Sequence, residues 1–540
     1  SPSCGPSRPA LFTGIAPSRS GNISNDSGKR PWRFYAGPET VTIPKLFSQN
    51  GWDSIGIAKN FHRGDAAEFD TYVPPFKTPK KLKKVGVRLK SASWDIADIP
   101  ASEMGDYKAA STAIKTIDSH KGPLFLSVGI YRPHVPWIVP QAYFDLYPPE
   151  TLQLSERRVE DLDDLPERLK LVAGFEAKFG KGYHEMLVEK GYDKQFARAY
   201  LASVTFADEQ VGRILDAWYA SPYAETGYVV LWSDHGYMLG EKNAWSKIKP
   251  WYDSSHSNFM VAGPGLPEGA VCGKAVSLLD LYPTLIELLN LPKPPQTLDG
   301  NSLVPLLKDP DAEWDRPVRM TSQMDGVFFE SILSNDFRMT RLATGETELY
   351  KLANDPHEFT NLAGNPKYAE VIEELEKHLS FSYPEIPADG WMEAEEIPAQ
   401  TSADYRLRGN CHYMLTDTEA SGERLVSALL YAGAGSYIEF IIDLPTAGTY
   451  HLEGTIAMSG TCSVFVDDVK NDAAQADAGY PMKRICTLEP SKKLTDVSIG
   501  EIHFDQPGLK IIRFATEKKQ EVKFDRLRLL KHGKLIFQKR

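Results

Sequence analysis

Short apolar runs bounded by glycine or proline mark the first 310 or so residues. Ser54-Ile55-Gly56-Ile57-Ala58, Leu124-Phe125-Leu126-Ser127-Val128 and Tyr228-Val229-Val230-Leu231-Trp232 each read as a buried strand of a parallel sheet. Between the last two, Phe196, Tyr200, Val204, Ala207, Val211, Leu215 and Trp218 recur at spacings of three and four, the single apolar stripe of a long helix. Strands alternating with helices predict an α/β sheet covered on both faces.

The pattern changes twice further on. Residues 315–385 predict a smaller unit centred on Glu348-Leu349-Tyr350-Lys351-Leu352-Ala353-Asn354-Asp355-Pro356, with Glu358 and Asn361-Leu362-Ala363 after it and a helix from Tyr368 to Leu379. Pro384, Pro387 and Pro398 then bracket a linker. From about 386 long helical patterns stop. Ile438, Phe440, Ile442 and Leu444 alternate with Tyr437, Glu439, Ile441 and Asp443, and a further strand starts at Gly508. Short strands between turn signals predict a β-sandwich over 386–540.

Composition narrows the reading. A chain of 540 residues needs two or three domains. No apolar run is long enough to span a membrane. The net charge of −11 argues against general nucleic-acid binding, so an anionic ligand must be held by a local basic cluster. Five scattered cysteines (Cys4, Cys272, Cys411, Cys462, Cys486) contain no Cys-x-x-Cys pair, which disfavours structural zinc. A disulfide among the last three is left open.

The candidate chemistry gathers at strand ends. Lys59 and His62 follow the first apolar run, Tyr131-Arg132-Pro133-His134 the second, and Ser233-Asp234-His235-Gly236 with Trp245-Ser246-Lys247 the third. Ligands of open α/β sheets bind beyond the carboxyl ends of the strands, so these sets are predicted to converge. Singly, each has a structural explanation: a solvated lysine, a half-buried histidine, an Asp-His-Gly turn. Trp94, Trp137 and Trp251 are either sugar-stacking rings or core.

Cys4-Gly5-Pro6-Ser7-Arg8, with Thr13-Gly14 beyond it, resembles the signature of type I sulfatases in the alkaline phosphatase superfamily. The segments carrying Lys59 and His62, Pro133-His134, and Asp234 through Lys247 follow in the order seen in the iduronate-2-sulfatase-like subfamily. Residues 348–363 are similar to the family's C-terminal subdomain. Met392-Glu393-Ala394-Glu395 and Ala447-Gly448-Thr449-Tyr450 resemble, more weakly, carbohydrate-binding jelly rolls; the other reading of that sandwich is a buttress.

The resemblance implies a mixed α/β sheet between helices over 1–314, an α+β subdomain over 315–385 and a jelly-roll sandwich over 386–540. It implies that a maturation enzyme oxidises Cys4 to formylglycine, whose hydrate attacks sulfur. A thiolate attacking the same ester would be trapped as a stable adduct. Arg8 would hold the hydrate, Lys59 and Lys247 would bind sulfate oxygens, His134 would protonate the leaving sugar oxygen, and His62 would accept the proton that lets sulfate be expelled. Asp234 and His235, with the oxidised Cys4, would bind calcium. The implied substrate is a uronate-containing sulfated oligo- or polysaccharide of ulvan or glycosaminoglycan type, and the implied location is secreted or periplasmic.

One departure stands out. The family begins with a strand ending in two metal-binding aspartates some tens of residues before the cysteine, whereas only Ser1-Pro2-Ser3 precede Cys4. One simple expectation is numbering that starts partway through the natural protein; the other is a truncated, metal-deficient protein. Val464-Phe465-Val466-Asp467-Asp468 looks like a substitute but falls within the sandwich pattern, where Asp-Asp predicts a turn. Asp163-Asp164 predicts a surface loop. The rival functions are a phosphoesterase or phosphonate monoester hydrolase of the same superfamily, and an inactive glycan-binding protein.

Overall fold

A computed structural model describes residues 1–23, 25, 39–62, 66–89, 93–173, 183–324, 327–381, 383, 389–394, 399–401, 411–416, 424–430, 436–470, 475, 481–516 and 520–531. The three linker prolines and Glu395 lie outside them.

The apolar runs form the expected strands. Asp53–Ala58 pairs in parallel with Leu124–Gly129 and with Thr71–Val73. The helix Gly105–Ser119 makes the crossover into Leu124–Gly129 and packs Ala109 and Ala113 on Ile57. The apolar stripe becomes the helix Tyr192–Tyr219, which buries Phe196, Ala199, Ala202 and Phe206. Trp94, Trp137 and Trp251 are all core, each no more than 9% exposed, so core packing wins over sugar stacking for all three.

Two features differ from the expected sheet. Val229–Trp232 pairs antiparallel with Phe259–Ala262 instead of joining the parallel strands. Leu124–Gly129 and Val229–Trp232 are mostly half-buried, because among the described residues each has an edge with no neighbouring strand. Both nevertheless lie over one apolar layer: Phe125, Val230, Trp232 and Phe259 pack against Leu11, Phe12, Phe47 and Leu281.

Val318–Met324, Val327–Leu333, Phe337–Leu342 and Thr347–Lys351 form an antiparallel meander. The helix Ala369–Glu376 covers it, placing Leu375 on Ile332, Met339 and Leu349. Beyond lie two antiparallel sheets. Their shared core takes Ile438, Phe440, Ile442 and Leu444 from Ser436–Leu444 and Ile512 and Phe514 from Gly508–Thr516. The opposite face of these two strands is dry as well. Tyr437, Glu439, Ile441, Ile511 and Arg513 are at most 2% exposed, and Ile441 and Ile511 pack on Ile23, Phe328 and Ala343 of the preceding units. Arg168, from the helix Glu167–Ala173, crosses the same seam to Gln475 and pairs with Glu346 on its own side.

Asp467 and Asp468 do not make the expected turn. They end the strand Cys462–Asp468, where Asp468 pairs with Lys510 of the adjacent strand. Asp163 and Asp164 are exposed in a turn segment, as expected of a loop. Cys462 and Cys486 are both free thiols, so no disulfide joins them.

Candidate active site

Cys4 opens the helix Cys4–Thr13, so its side chain stands at the positive end of the backbone dipole, where an anion is favoured. Proline at position 9 removes the N–H that would reach Gly5 O, and Asn22 Nδ2 satisfies that carbonyl instead at 3.1 Å. Gly14 ends the helix with φ 69°, and its N–H donates to Ala10 O at 2.8 Å. A Cβ there would collide with Leu298, which gives the Thr-Gly pair a steric reason.

The strand ends converge on Cys4. Its sulfur, in a residue 1% exposed, lies 2.9 Å from Lys247 Nζ, 3.2 Å from His235 Nε2 and 3.9 Å from Lys59 Nζ. His134 and His62 add to the groups that favour its ionised form. Burial pushes the Cys4 thiol up, but the three imidazoles and the Lys247 charge outweigh it and hold it far below the ordinary thiol range. His134 Nδ1 faces Val135 O at 2.6 Å and His235 Nδ1 faces Gly236 O at 2.7 Å, turning the other ring nitrogen of each inward. His62 Nδ1 is buried without a hydrogen-bond partner among the described residues. Burial lowers the His134 and Lys59 pKa values, so this centre is short of water and rich in positive charge.

Arg8, one turn after Cys4, directs its hydrogen bonds elsewhere. Nε donates to Asp234 Oδ2 at 2.6 Å, and Nη1 donates to the carbonyls of Lys59 and Asn60 at 2.8 Å each. Burial raises the Asp234 carboxyl, but the Arg8, His235 and Lys59 charges together outweigh it and hold it below the usual carboxylate range. Gly129 is needed where the first two strands end together, since a Cβ there would lie 1.9 Å from Lys59 O.

Sequence reasoning missed several supports. Asp106 accepts the backbone N–H groups of Tyr131 and Arg132 at 2.8 and 3.0 Å and so fixes the turn that carries His134. Tyr131, 39% exposed, sets its ring against His134 and under Lys59. Ser7 Oγ donates to Asp234 O, tying the helix to the third strand end. An Asp in a first helical turn and a Tyr before an Arg-Pro-His sequence carry no signal of their own. Lys247 follows Ser246 (φ 75°) and precedes Ile248 (φ 67°), two left-handed residues that cost about 1–3 kcal/mol each.

The sulfatase family model matches residues 1–291, and a model for the C-terminal part of N-sulphoglucosamine sulphohydrolase matches residues 240–383. The chain belongs to the sulfatase family. This sulfatase is therefore a sulfuric ester hydrolase by class. It is 33% identical over 394 residues to a sulfatase of Formosa agariphila, an alignment covering 69% of this chain and 76% of the other. It is 26% identical over 348 residues to the iduronate 2-sulfatase of Mus musculus, covering 54% of this chain and 61% of that enzyme. A solved 2-O glycosaminoglycan sulfatase shares the sulfatase fold with a TM-score of 0.53 at 20% identity, over 70% of this chain and 80% of that one.

Cys4, Asp234 and His235 bring a sulfur, a carboxylate oxygen and an imidazole nitrogen within 4.8 Å of one another. Calcium takes about six to eight oxygen ligands. Asp234 supplies the only carboxylate of this group, and Arg8 already engages it. The described residues of the sulfatase therefore do not complete a calcium shell.

Proposed function

We propose that this sulfatase removes a sulfate ester from a uronate-containing oligo- or polysaccharide, with position 4 as the reacting residue after oxidation to formylglycine by a maturation enzyme. The observation that carries this reading is the ring of Lys247, Lys59, His235, His134 and His62 around the Cys4 sulfur. A buried pocket lined by two ammonium groups and by imidazoles suits a sulfate group and the negative charge that develops during its transfer. The mouse relative's name, iduronate 2-sulfatase, supports a uronate.

The oxidised residue supplies a hydrated aldehyde, with one hydroxyl to attack sulfur and a second whose deprotonation breaks the C–O bond to sulfate and regenerates the aldehyde. Lys59 and Lys247 neutralise the non-bridging sulfate oxygens. His134, its Nδ1 turned to Val135 O, gives the proton on its other nitrogen to the departing sugar oxygen. His62 accepts the proton of the second hydroxyl. Arg8 adds positive charge behind position 4 and keeps Asp234 ionised. We assign the catalytic unit to 1–314, its subdomain to 315–385 and the sandwich to 386–540, in an enzyme working outside the cytoplasm. Among the described residues no helix is long and apolar enough to cross a membrane.

The test pairs mass spectrometry of the peptide carrying position 4 with sulfate release from glycosaminoglycan- and ulvan-derived oligosaccharides. An aldehyde in the active preparation and loss of sulfate release in Cys4→Ala are expected. An unmodified thiol in fully active enzyme, or full turnover by Cys4→Ala, refutes the proposal.

A further inference from the structure

Lys247 reaches the reacting residue from a loop whose backbone is held far from its ordinary preferences. Lys242 (φ 51°), Asn243 (φ 46°), Ser246 (φ 75°) and Ile248 (φ 67°) are all left-handed, and none is glycine. Such a loop keeps its shape only where its surroundings dictate it. One tie comes from the cysteine segment itself, where Ile248 N donates to Pro2 O at 2.9 Å.

Most of the others come from the unit that follows. Arg338, 2% exposed, donates to Pro250 O at 2.5 Å. Its guanidinium is ion-paired with Glu348 at 3.3 Å and with Glu358. Glu348 accepts the indole N–H of Trp251 at 3.1 Å. Glu358 accepts the backbone N–H of Tyr252 at 2.9 Å, and its own carbonyl accepts Lys242 Nζ at 2.6 Å. Lys242, 1% exposed, also pairs with Asp161 at 2.7 Å. Glu358 thus touches the loop at both ends, with Lys247 between.

Buried ion pairs are weak evidence of stabilisation, since apolar replacements of equal volume often do as well. What needs explaining is their placement. Two fully buried cations and three buried carboxylates converge on about ten residues around one left-handed loop, and that loop carries the ammonium nearest the Cys4 sulfur.

We propose that Glu358, with Arg338 and Glu348, is a positioning residue of the sulfatase reaction: it fixes the loop so that Lys247 meets the sulfate group. The inference rests on the reading of Lys247 as a sulfate-binding residue. It makes the C-terminal subdomain part of the construction of the active site.

A double-mutant cycle in the matured, full-length enzyme tests it, with 4-nitrophenyl sulfate as the probe and melting temperature read alongside. Lys247→Ala is expected to lower kcat/KM about 100-fold, and Glu358→Gln about tenfold. The double variant should match Lys247→Ala alone, because a group that acts through Lys247 then has nothing to act on. Any loss of melting temperature from Glu358→Gln should be the same in both backgrounds, which separates positioning from stability. Trp251→Phe, which deletes the indole donor to Glu348 and shrinks a buried ring, should cost about threefold and lose its effect when Lys247 is alanine; it decides the matter if Glu358→Gln does not fold. Multiplicative losses in the double variants would overturn the positioning role and leave Lys247 as a sulfate ligand. Unimpaired turnover by Lys247→Ala would overturn both.

Discussion

Replacing Arg8 by leucine removes the ion pair to Asp234 and two donors to the carbonyls of Lys59 and Asn60 in one step. The side chains of Arg8 and Asp234 are 11% and 12% exposed, so solvent does little to replace what is lost. Breaking a buried pair from one side costs about 3–5 kcal/mol, because the surviving charge stays buried. The two carbonyls would each cost about 1–3 kcal/mol if left unsatisfied, but these terms do not add to the first. His235 remains 3.4 Å from Asp234, which places the expected loss near 3 kcal/mol. Urea unfolding of the full-length chain should show a lower midpoint with an unchanged slope. The sign of the pH dependence is fixed too. Asp234 has a folded pKa below its unfolded value of about 3.9, so its contribution is present above that pH and is lost as pH falls through the folded value. Without Arg8 the largest charge opposing burial is gone and the carboxyl rises, so the deficit of Arg8→Leu should be widest at neutral pH and shrink on acidification. Adding Asp234→Asn should restore much of the loss. A deficit below about 1 kcal/mol, a deficit constant with pH, or strict additivity of the two substitutions would refute the argument.

Two further outcomes are expected. Burial holds His134 below the usual histidine value, so kcat/KM should fall as pH rises through an apparent pKa under about 6.5, a limb that His134→Ala should lack; a flat profile through the histidine range would refute the acid role. Ile441→Asp buries an unpaired carboxylate where the sandwich meets Phe328 and Ala343, and should lower the stability of the whole chain by about 3 kcal/mol in a single calorimetric transition. An early, separate melting of the sandwich alone would refute it.

Residues whose role is set by local sequence were legible. The apolar runs at 53–58, 124–129 and 229–232, the stripe on Tyr192–Tyr219 and the alternation in Ser436–Leu444 are periodic signals that survive folding. The meeting of Lys59, Lys247 and His235 at Cys4 was legible too, because strand ends converge whatever the loops between them do. Pairing at long range left no trace. Lys242, Lys249, Arg168 and Arg338 carry no signal in the sequence, yet all four are at most 2% exposed. Their partners lie tens to hundreds of residues away, and nothing in a run of sequence says which lysine will find a buried carboxylate. Glu348 and Glu358 were legible as parts of a motif, but their reach to Trp251 and Tyr252 belongs to the tertiary fold. Asp468 turned out to close a strand because Lys510 stands beside it.

The sheet built on Ser436–Leu444 and Gly508–Thr516 has no wet side at its centre. A glycan-gripping module on a leash samples many distances from the chemistry it serves and can be grafted onto other enzymes. This sandwich is mortared in place. Any saccharide held on its outward sheet would meet position 4 at one fixed span and angle, so chains would be chosen by length as well as by sugar.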